Sequence, residues 1–276
     1  MPGQKIYIRK SDGDRELFDP GKLEHSLELA GAASTVRAKV LSHIMHELQP
    51  DMRSEDIYRR AFEILSREAL VPVAARYSIK RAVFALGPSG FPFEQFFAEI
   101  LRGHGYRAQT GMMLTGKCAT HEVDVLAERN GVRIGIEAKF HNDPSGKTDI
   151  KDVLYVKARY DDLKESSFPD SRVQEGWLVT NTRFTHNATH YAQCAGLSLI
   201  GWDYPRTRGI LKMIEEARVH PLTALTSLSE SEKRQFLDKK VVLCKSITSP
   251  HVLKDFGIRP DKIDRVLQEA RELCGS

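Results

Sequence analysis

The sequence predicts an α/β protein in three parts: a mostly helical N-terminal unit with a small β-hairpin, a central α/β core on a mixed sheet, and a small helical C-terminal module. Three observations lead there. Between residues 91 and 205 the chain runs helix, strands, helix, strand, helix, strand, an order that covers a central sheet on both faces. Within that stretch two alternating segments meet at Asn130-Gly131, the strongest two-residue hairpin signal. On either side helical spacing dominates. At 276 residues the chain can bury two or three cores, and the units are expected at 1–90, 91–205 and 206–276.

Ile6 and Ile8, a Ser11-Asp12-Gly13-Asp14 turn and Leu17-Phe18 make a small hairpin over residues 5–18. Asp19 followed by Pro20 is an N-cap and first-turn pair for a helix ending near Gly31. Ser34 and Ser54 are expected to cap two further helices, and Pro72 lies near the start of a fourth carrying Tyr77, Ile79, Val83 and Phe84. Gly87-Pro88-Ser89-Gly90 closes this unit. Phe93, Phe96, Phe97, Ile100 and Leu101 then follow helical spacing up to Gly103.

After the Asn-Gly hairpin and a polar loop over 141–147, Thr148 can cap a helix with Val153, Val156, Tyr160 and Leu163 on one face. Trp177-Leu178-Val179-Thr180 reads as a buried strand, 185–194 as a helix, and Leu197-Ser198-Leu199-Ile200 as another strand. Helical pieces are expected near 209–219, 229–239, 248–255 and 261–273. Such a module can contact a DNA backbone or pack on the core.

The formal net charge of +4 is mild and its charges are interspersed, so the sequence does not suggest a coating of nucleic acid by charge alone, and any basic surface is local. Cys118, Cys194, Cys244 and Cys274 form no C-x-x-C pair, which argues against a zinc ribbon or a disulfide scaffold and favours free thiols. No signal-like run or membrane-length apolar stretch is present, so a cytoplasmic protein without a membrane partner is expected. No P-loop is present, which excludes an NTPase motor of that type. His186 and His190 lie four apart on a helix without a third ligand or an acidic base, a pattern of solvated histidines. Trp177 and Trp202 read as core residues.

The chemistry is concentrated in the hairpin. The segments His121–Glu128 and Val132–Phe140 alternate polar and apolar residues, the period of half-buried strands. An Asn130-Gly131 turn pairs Arg129 with Val132, Glu128 with Arg133, Asp124 with Glu137 and Glu122 with Lys139. Asp124, Glu137 and Lys139 then share one face. Two adjacent carboxylates repel unless a hard divalent cation, Mg²⁺ or Mn²⁺, neutralises them. A lysine beside that cation can orient a water or stabilise charge on a phosphate, which suits phosphodiester hydrolysis. The bland alternative is an exposed Glu122–Lys139 ion pair worth under ~1 kcal/mol.

Residues 91–204 resemble the PD-(D/E)xK nucleases, specifically the Mrr-like branch of type IV restriction endonucleases. The resemblance rests on Phe93-Glu94-x-Phe96-Phe97-x-Glu99-Ile100-Leu101, Gly105-Tyr106, Glu122-Val123-Asp124, Glu137-Ala138-Lys139 and Val179-Thr180-Asn181. It implies that Asp124, Glu137 and the Ala138 carbonyl bind the metal, with Glu94 a further ligand in some members, and that Lys139 serves the attacking water. His141 stands where many members carry glutamine. Lys151, Lys157 and Arg159 on the next helix can meet DNA phosphates or form a solvated face.

Residues 4–87 resemble the ATP-cone, the nucleotide-binding regulatory domain of ribonucleotide reductases and of their transcriptional repressor. The match includes Ile8-Arg9-Lys10-Ser11-Asp12-Gly13, Phe18-Asp19, Lys22 and Ser54-x-Asp56-Ile57-Tyr58. It implies that Lys10 and Lys22 meet phosphates, with Ser54 and Tyr58 near the nucleotide. Ser11 replaces the usual second basic residue, and the extra basic residue is Arg9.

Together these features predict a metal-dependent DNA endonuclease that takes ATP or dATP as effector, acts as a homodimer or larger assembly, and restricts foreign or modified DNA. The alternatives are a nucleotide-sensing DNA-binding protein with an inactive nuclease core, and a structure-selective or RNA nuclease.

Overall fold

The structure, a computed structural model, describes residues 6–9, 14–68, 73–74 and 77–274. The first strands are β1 (Tyr7–Arg9) and β2 (Arg15–Leu17), paired antiparallel. Of the turn joining them, 11–13 lie outside the described residues, as do Lys10 and Pro72. Helix α1 (Pro20–Leu29) starts as expected, with the Asp19 carboxylate accepting from the Gly21 N–H at 2.8 Å. Ser34 and Ser54 are not caps. Each is the first residue of its helix, α2 (Ser34–Glu47) and α3 (Ser54–Glu68), and Ala33 precedes α2 without a side-chain cap. Leu27, Val40, Ile44, Ala61 and Leu65 give this unit its own core.

Helix α4 (Ile79–Phe84) turns away from that core. Its Ile79 and Val83, with Leu86, pack among Phe93, Phe96, Ile100 and Trp177 of the central unit. Helix α5 (Phe91–Gly103) follows, its apolar face fully buried. The central sheet has strand order β3-β4-β5-β7-β9, built from β3 (Arg107–Thr115), β4 (Thr120–Arg129), β5 (Val132–Lys139), β7 (Glu175–Thr180) and β9 (Ser198–Ile200). The first three are antiparallel and the last two join in parallel. A parallel two-stranded patch, β6 (Lys147–Thr148) with β8 (Arg183–Phe184), lies beside them.

Helix α5 covers one face of the sheet. Helices α6 (Ile150–Lys164) and α7 (His186–Ala195) cover the other, with Val153, Val156, Tyr160 and Leu163 buried. Thr148 does not cap α6. It is taken into β6, and Asp149 accepts from the Lys151 N–H instead.

Helix α8 (Ile210–Ala217) buries Ile210, Met213 and Ile214 in the central core. Helices α9 (Glu230–Asp238), α10 (Pro250–Asp255) and α11 (Pro260–Cys274) close a last core around Leu222, Phe236, Leu253 and Val266. The buried Glu269 carboxylate ties the loop before α9, accepting from the N–H and hydroxyl groups of Thr226 and Ser227. The expectation of four free thiols fails at one pair. Cys244 and Cys274 are joined as a disulfide with Cα atoms 6.5 Å apart, because α11 folds back over the turn at 244. Cys118 and Cys194 are exposed and free.

Candidate metal and phosphate site

Asn130 and Gly131 both take positive φ, 53° and 77°, the conformation that a tight two-residue hairpin requires. The turn fixes the register the sequence predicts: Arg129 pairs with Val132, Glu128 with Arg133, and so on to Val125 with Ile136. One step further lie Asp124 and Glu137, where the backbone ladder stops. The Asp124 carboxylate instead accepts the Ala138 N–H at 2.7 Å. On its other edge β4 pairs Val125 with Thr110 and Val123 with Met112, skipping Gly111, whose φ is +63°. Asp124 thus stands where pairing is interrupted on both sides, which lets a polar side chain fold back onto the strand.

Glu137 is buried at the point where β5 hands its other edge to β7, with Glu137, Ala138 and Lys139 beside Leu178, Val179 and Thr180. Lys139 Nζ lies 3.2 Å from Glu137 Oε1 and 3.8 Å from Asp152 Oδ1. The predicted Asp124–Glu137 and Glu122–Lys139 pairings are not in the ladder, which ends at Val125–Ile136, and Lys139 makes its ion pairs with Glu137 and Asp152 rather than with Glu122.

Burial, and then the neighbouring Glu137 charge, push the Asp124 carboxyl up to about 6. Glu94, in the first turn of α5, is pushed up to about 7, chiefly by burial and then by Asp124, Glu122 and Glu137. Four carboxylates, those of Glu94, Glu122, Asp124 and Glu137, therefore share one field.

Two residues enter the site that the strand pattern does not disclose. Arg159 of α6 donates through Nη1 to Glu137 Oε2 and to the Glu122 carbonyl (3.0 Å), and through Nη2 to the Tyr155 hydroxyl (2.7 Å). Asp152, one turn into the same helix, offers Lys139 its second carboxylate. A third residue, Asn181, fixes the end of β5: it accepts the His141 N–H at 2.8 Å and donates to the His141 carbonyl at 2.9 Å. His141 also meets Thr148 Oγ1 at 3.0 Å, and burial holds its ring below the ordinary histidine value. Asn181 stands in the Val179-Thr180-Asn181 motif of the sequence. Arg159, expected as a phosphate contact or a solvated residue, is instead buried against Glu137, because helical spacing does not say which turn faces the sheet, and Asp152 carries no sequence signal.

Lys157 is paired with Asp161, and Lys151 is exposed at the start of α6. In the N-terminal unit Arg9 is exposed, its N–H bonded to the Met52 carbonyl at 3.0 Å, and Lys22 pairs with Glu16. Ser54 lines a cavity of about 520 Å³ that also touches Arg15, Pro144, Thr182 and Asp203. Tyr58 lines a second cavity, of about 530 Å³, with Tyr77, Arg218 and His220. Lys80 and Trp202 border both cavities. The structure therefore sets Ser54 and Tyr58 on neighbouring cavities and not around one. The Tyr58 ring stacks on Tyr77 at 4.9 Å under the Arg81 guanidinium, and burial pushes its hydroxyl up to about 12.

The donors at the hairpin end fit a hard divalent cation: they are oxygens, and the carboxyls of Asp124 and Glu94 are held away from ionisation by burial and mutual repulsion, which a cation relieves. Among the described residues no three His, Cys, Asp or Glu side chains close around one point.

Comparison with known proteins finds three family matches along the chain. Residues 6–83 match the ATP cone domain, 87–204 the Mrr-type restriction endonuclease catalytic domain, and 220–274 the domain described as AF1548-like, C-terminal. This is a nucleotide-binding cone joined to a restriction-endonuclease-like, nuclease-type enzyme domain, a class that implies DNA and a divalent metal. An uncharacterized protein of Archaeoglobus fulgidus is 33% identical over 180 residues, 64% of this chain and 99% of its own length. A crystal structure described as a protein of unknown function, AF1548, is 31% identical with a TM-score of 0.57, over 68% of this chain and 99% of that one. The chain belongs to the AF1548-like family. Among the described residues no helix is long and apolar enough to cross a membrane.

Proposed function

We propose that the protein is a divalent-metal-dependent DNA endonuclease of the PD-(D/E)xK type, acting in restriction of foreign or modified DNA and regulated by ATP or dATP at its cone. The observation that carries this reading is the meeting of Asp124, Glu137 and Lys139 at the end of the β4–β5 ladder, with Lys139 Nζ 3.2 Å from Glu137 Oε1. Asp124, Glu137 and the Ala138 carbonyl are the residues that would hold Mg²⁺ or Mn²⁺, with Glu94 a further acid that feels the charges of Asp124 and Glu137. A cation held there would supply Lewis-acid activation of the scissile phosphate. Lys139 holds the attacking water in line and steadies charge on the phosphate oxygens while the 3′ oxygen leaves. Lys151 and Lys157 are the phosphate contacts on α6, and cutting both strands calls for a dimer or larger assembly.

At the cone, Arg9, Lys10, Lys22 and Ser54 are the nucleotide contacts, with Tyr58 set apart from Ser54 on the neighbouring cavity, and nucleotide acts as an effector and not as fuel. The test is cleavage of plasmid and linear DNA with Mg²⁺ or Mn²⁺, with and without ATP and dATP. Cleavage is expected in the wild type and is expected to fall by at least about 10²-fold in Lys139→Ala and Glu137→Ala. Nucleotide-responsive DNA binding without cutting on any DNA or RNA would replace this reading with that of a non-catalytic sensor.

A further inference from the structure

Glu137 meets cations on both of its oxygens. Oε1 has Lys139, and Oε2 has Arg159. The two cations are held differently. Lys139 is on the same strand as Glu137, about one third exposed, with Asp152 as a second acid on its far side. Arg159 is only 11% exposed and comes from the facing helix. Its Nε has no hydrogen-bond partner, so this buried guanidinium is incompletely satisfied where it stands. Its remaining anchors, the Glu122 carbonyl and the Tyr155 hydroxyl, are neutral. Tyr155 is 57% exposed, and its ring lies 4.8 Å from the guanidinium carbon, a cation–π shelf leading outward from the site.

We infer that Arg159 is the resident counter-ion of Glu137 and must surrender that carboxylate for a divalent cation to be bound, moving outward along Tyr155. This inference rests on the metal-site reading above. The physical ground is charge balance in a desolvated place. Without a metal, Arg159 and Lys139 offset Asp124 and Glu137, and a buried carboxylate kept in this way is tolerable. A divalent ion and a guanidinium on the same buried carboxylate repel each other strongly at low effective dielectric, so the two compete for it.

The experiment is a calorimetric titration of the full chain with Mn²⁺ alone, without DNA, for the wild type, Arg159→Gln, Tyr155→Phe and Glu137→Gln. Arg159→Gln is expected to bind Mn²⁺ on the order of tenfold more tightly than the wild type, the effect of removing one close like charge. Tyr155→Phe loosens Arg159 without removing it and is expected to shift affinity in the same direction by less, which keeps the test open if Arg159→Gln does not fold. Glu137→Gln is expected to abolish the binding. Wild-type affinity or weaker in both Arg159→Gln and Tyr155→Phe, with binding still lost in Glu137→Gln, overturns the counter-ion role and leaves the metal site standing. No Glu137-dependent binding in any variant overturns both together.

Discussion

Asp124 and Glu94 ionise reluctantly, and the direction of their shifts sets a pH dependence. Their folded-state values, about 6 and about 7, lie above the ordinary 3.8 and 4.5. At low pH both are protonated whether or not the chain is folded, so neither opposes folding. As pH rises, the unfolded chain releases these protons first, and the stability their protonation lends the fold is lost as pH passes through the folded values. In EDTA, thermal melts are expected to show stability declining from about pH 4 to about pH 7 through these two groups. Asp124→Asn and Glu94→Gln should each flatten the decline. Stabilisation by added Mn²⁺ should grow across the same window, because cation binding needs the ionised forms. Wild-type slopes in both variants would show that neither carboxyl is held above its ordinary value in the fold.

At the level of elements, the hairpin was the most legible part of the chain. The Asn130-Gly131 turn fixed register through Val125 and Ile136, and alternation fixed the face. The helices over 91–103 and 150–164 were legible for the same reason, a clean apolar stripe. Strand β3 was not: Gln109, Thr110 and Gly111 break its apolar alternation, and only tertiary pairing with β4 makes Arg107–Thr115 a strand. The Cys244–Cys274 pairing was equally hidden, since sequence spacing does not show which helix folds back on which turn. Arg159 reads from the sequence as a phosphate contact or a solvated residue because its true partner, Glu137, lies across the helix–sheet interface.

That interface also yields a stability prediction. Gly135 and Gly176 lie side by side on β5 and β7, and a Cβ on either would come within 2.3 or 2.5 Å of the Tyr160 ring. Gly135→Ala is therefore expected to cost about 1–3 kcal/mol in denaturant melts by lifting α6 from the sheet. The Tyr160 hydroxyl is buried without a hydrogen-bond partner, so Tyr160→Phe should be neutral or stabilising. A large loss in Tyr160→Phe would mean that the hydroxyl has a partner there.

For the whole molecule, the cores determine which parts unfold together. Leu237, Val242 and Leu243 belong to the C-terminal stretch yet pack in the central core with Ile100, Trp177 and Ile214, while Ala82 of α4 packs in the C-terminal core and accepts the Thr223 hydroxyl. The central and C-terminal units thus interlock. The cone's apolar residues up to Tyr77 form a separate cluster. Scanning calorimetry is expected to show two transitions, one for the cone and one shared by the other two units. Leu243→Ala should destabilise the shared transition by about 2–5 kcal/mol and spare the cone, whereas Leu27→Ala should do the reverse. If the cone takes ATP, a hundredfold excess over its Kd adds about 2.7 kcal/mol to the cone transition alone. A shared transition that also rises with ATP would mean that nucleotide energy reaches the nuclease core through the cavities bordered by Lys80 and Trp202, the contact that allosteric control of cleavage requires. A cone transition unmoved by ATP and dATP, with the fold intact, would remove the nucleotide from the account and leave the cone as a docking element.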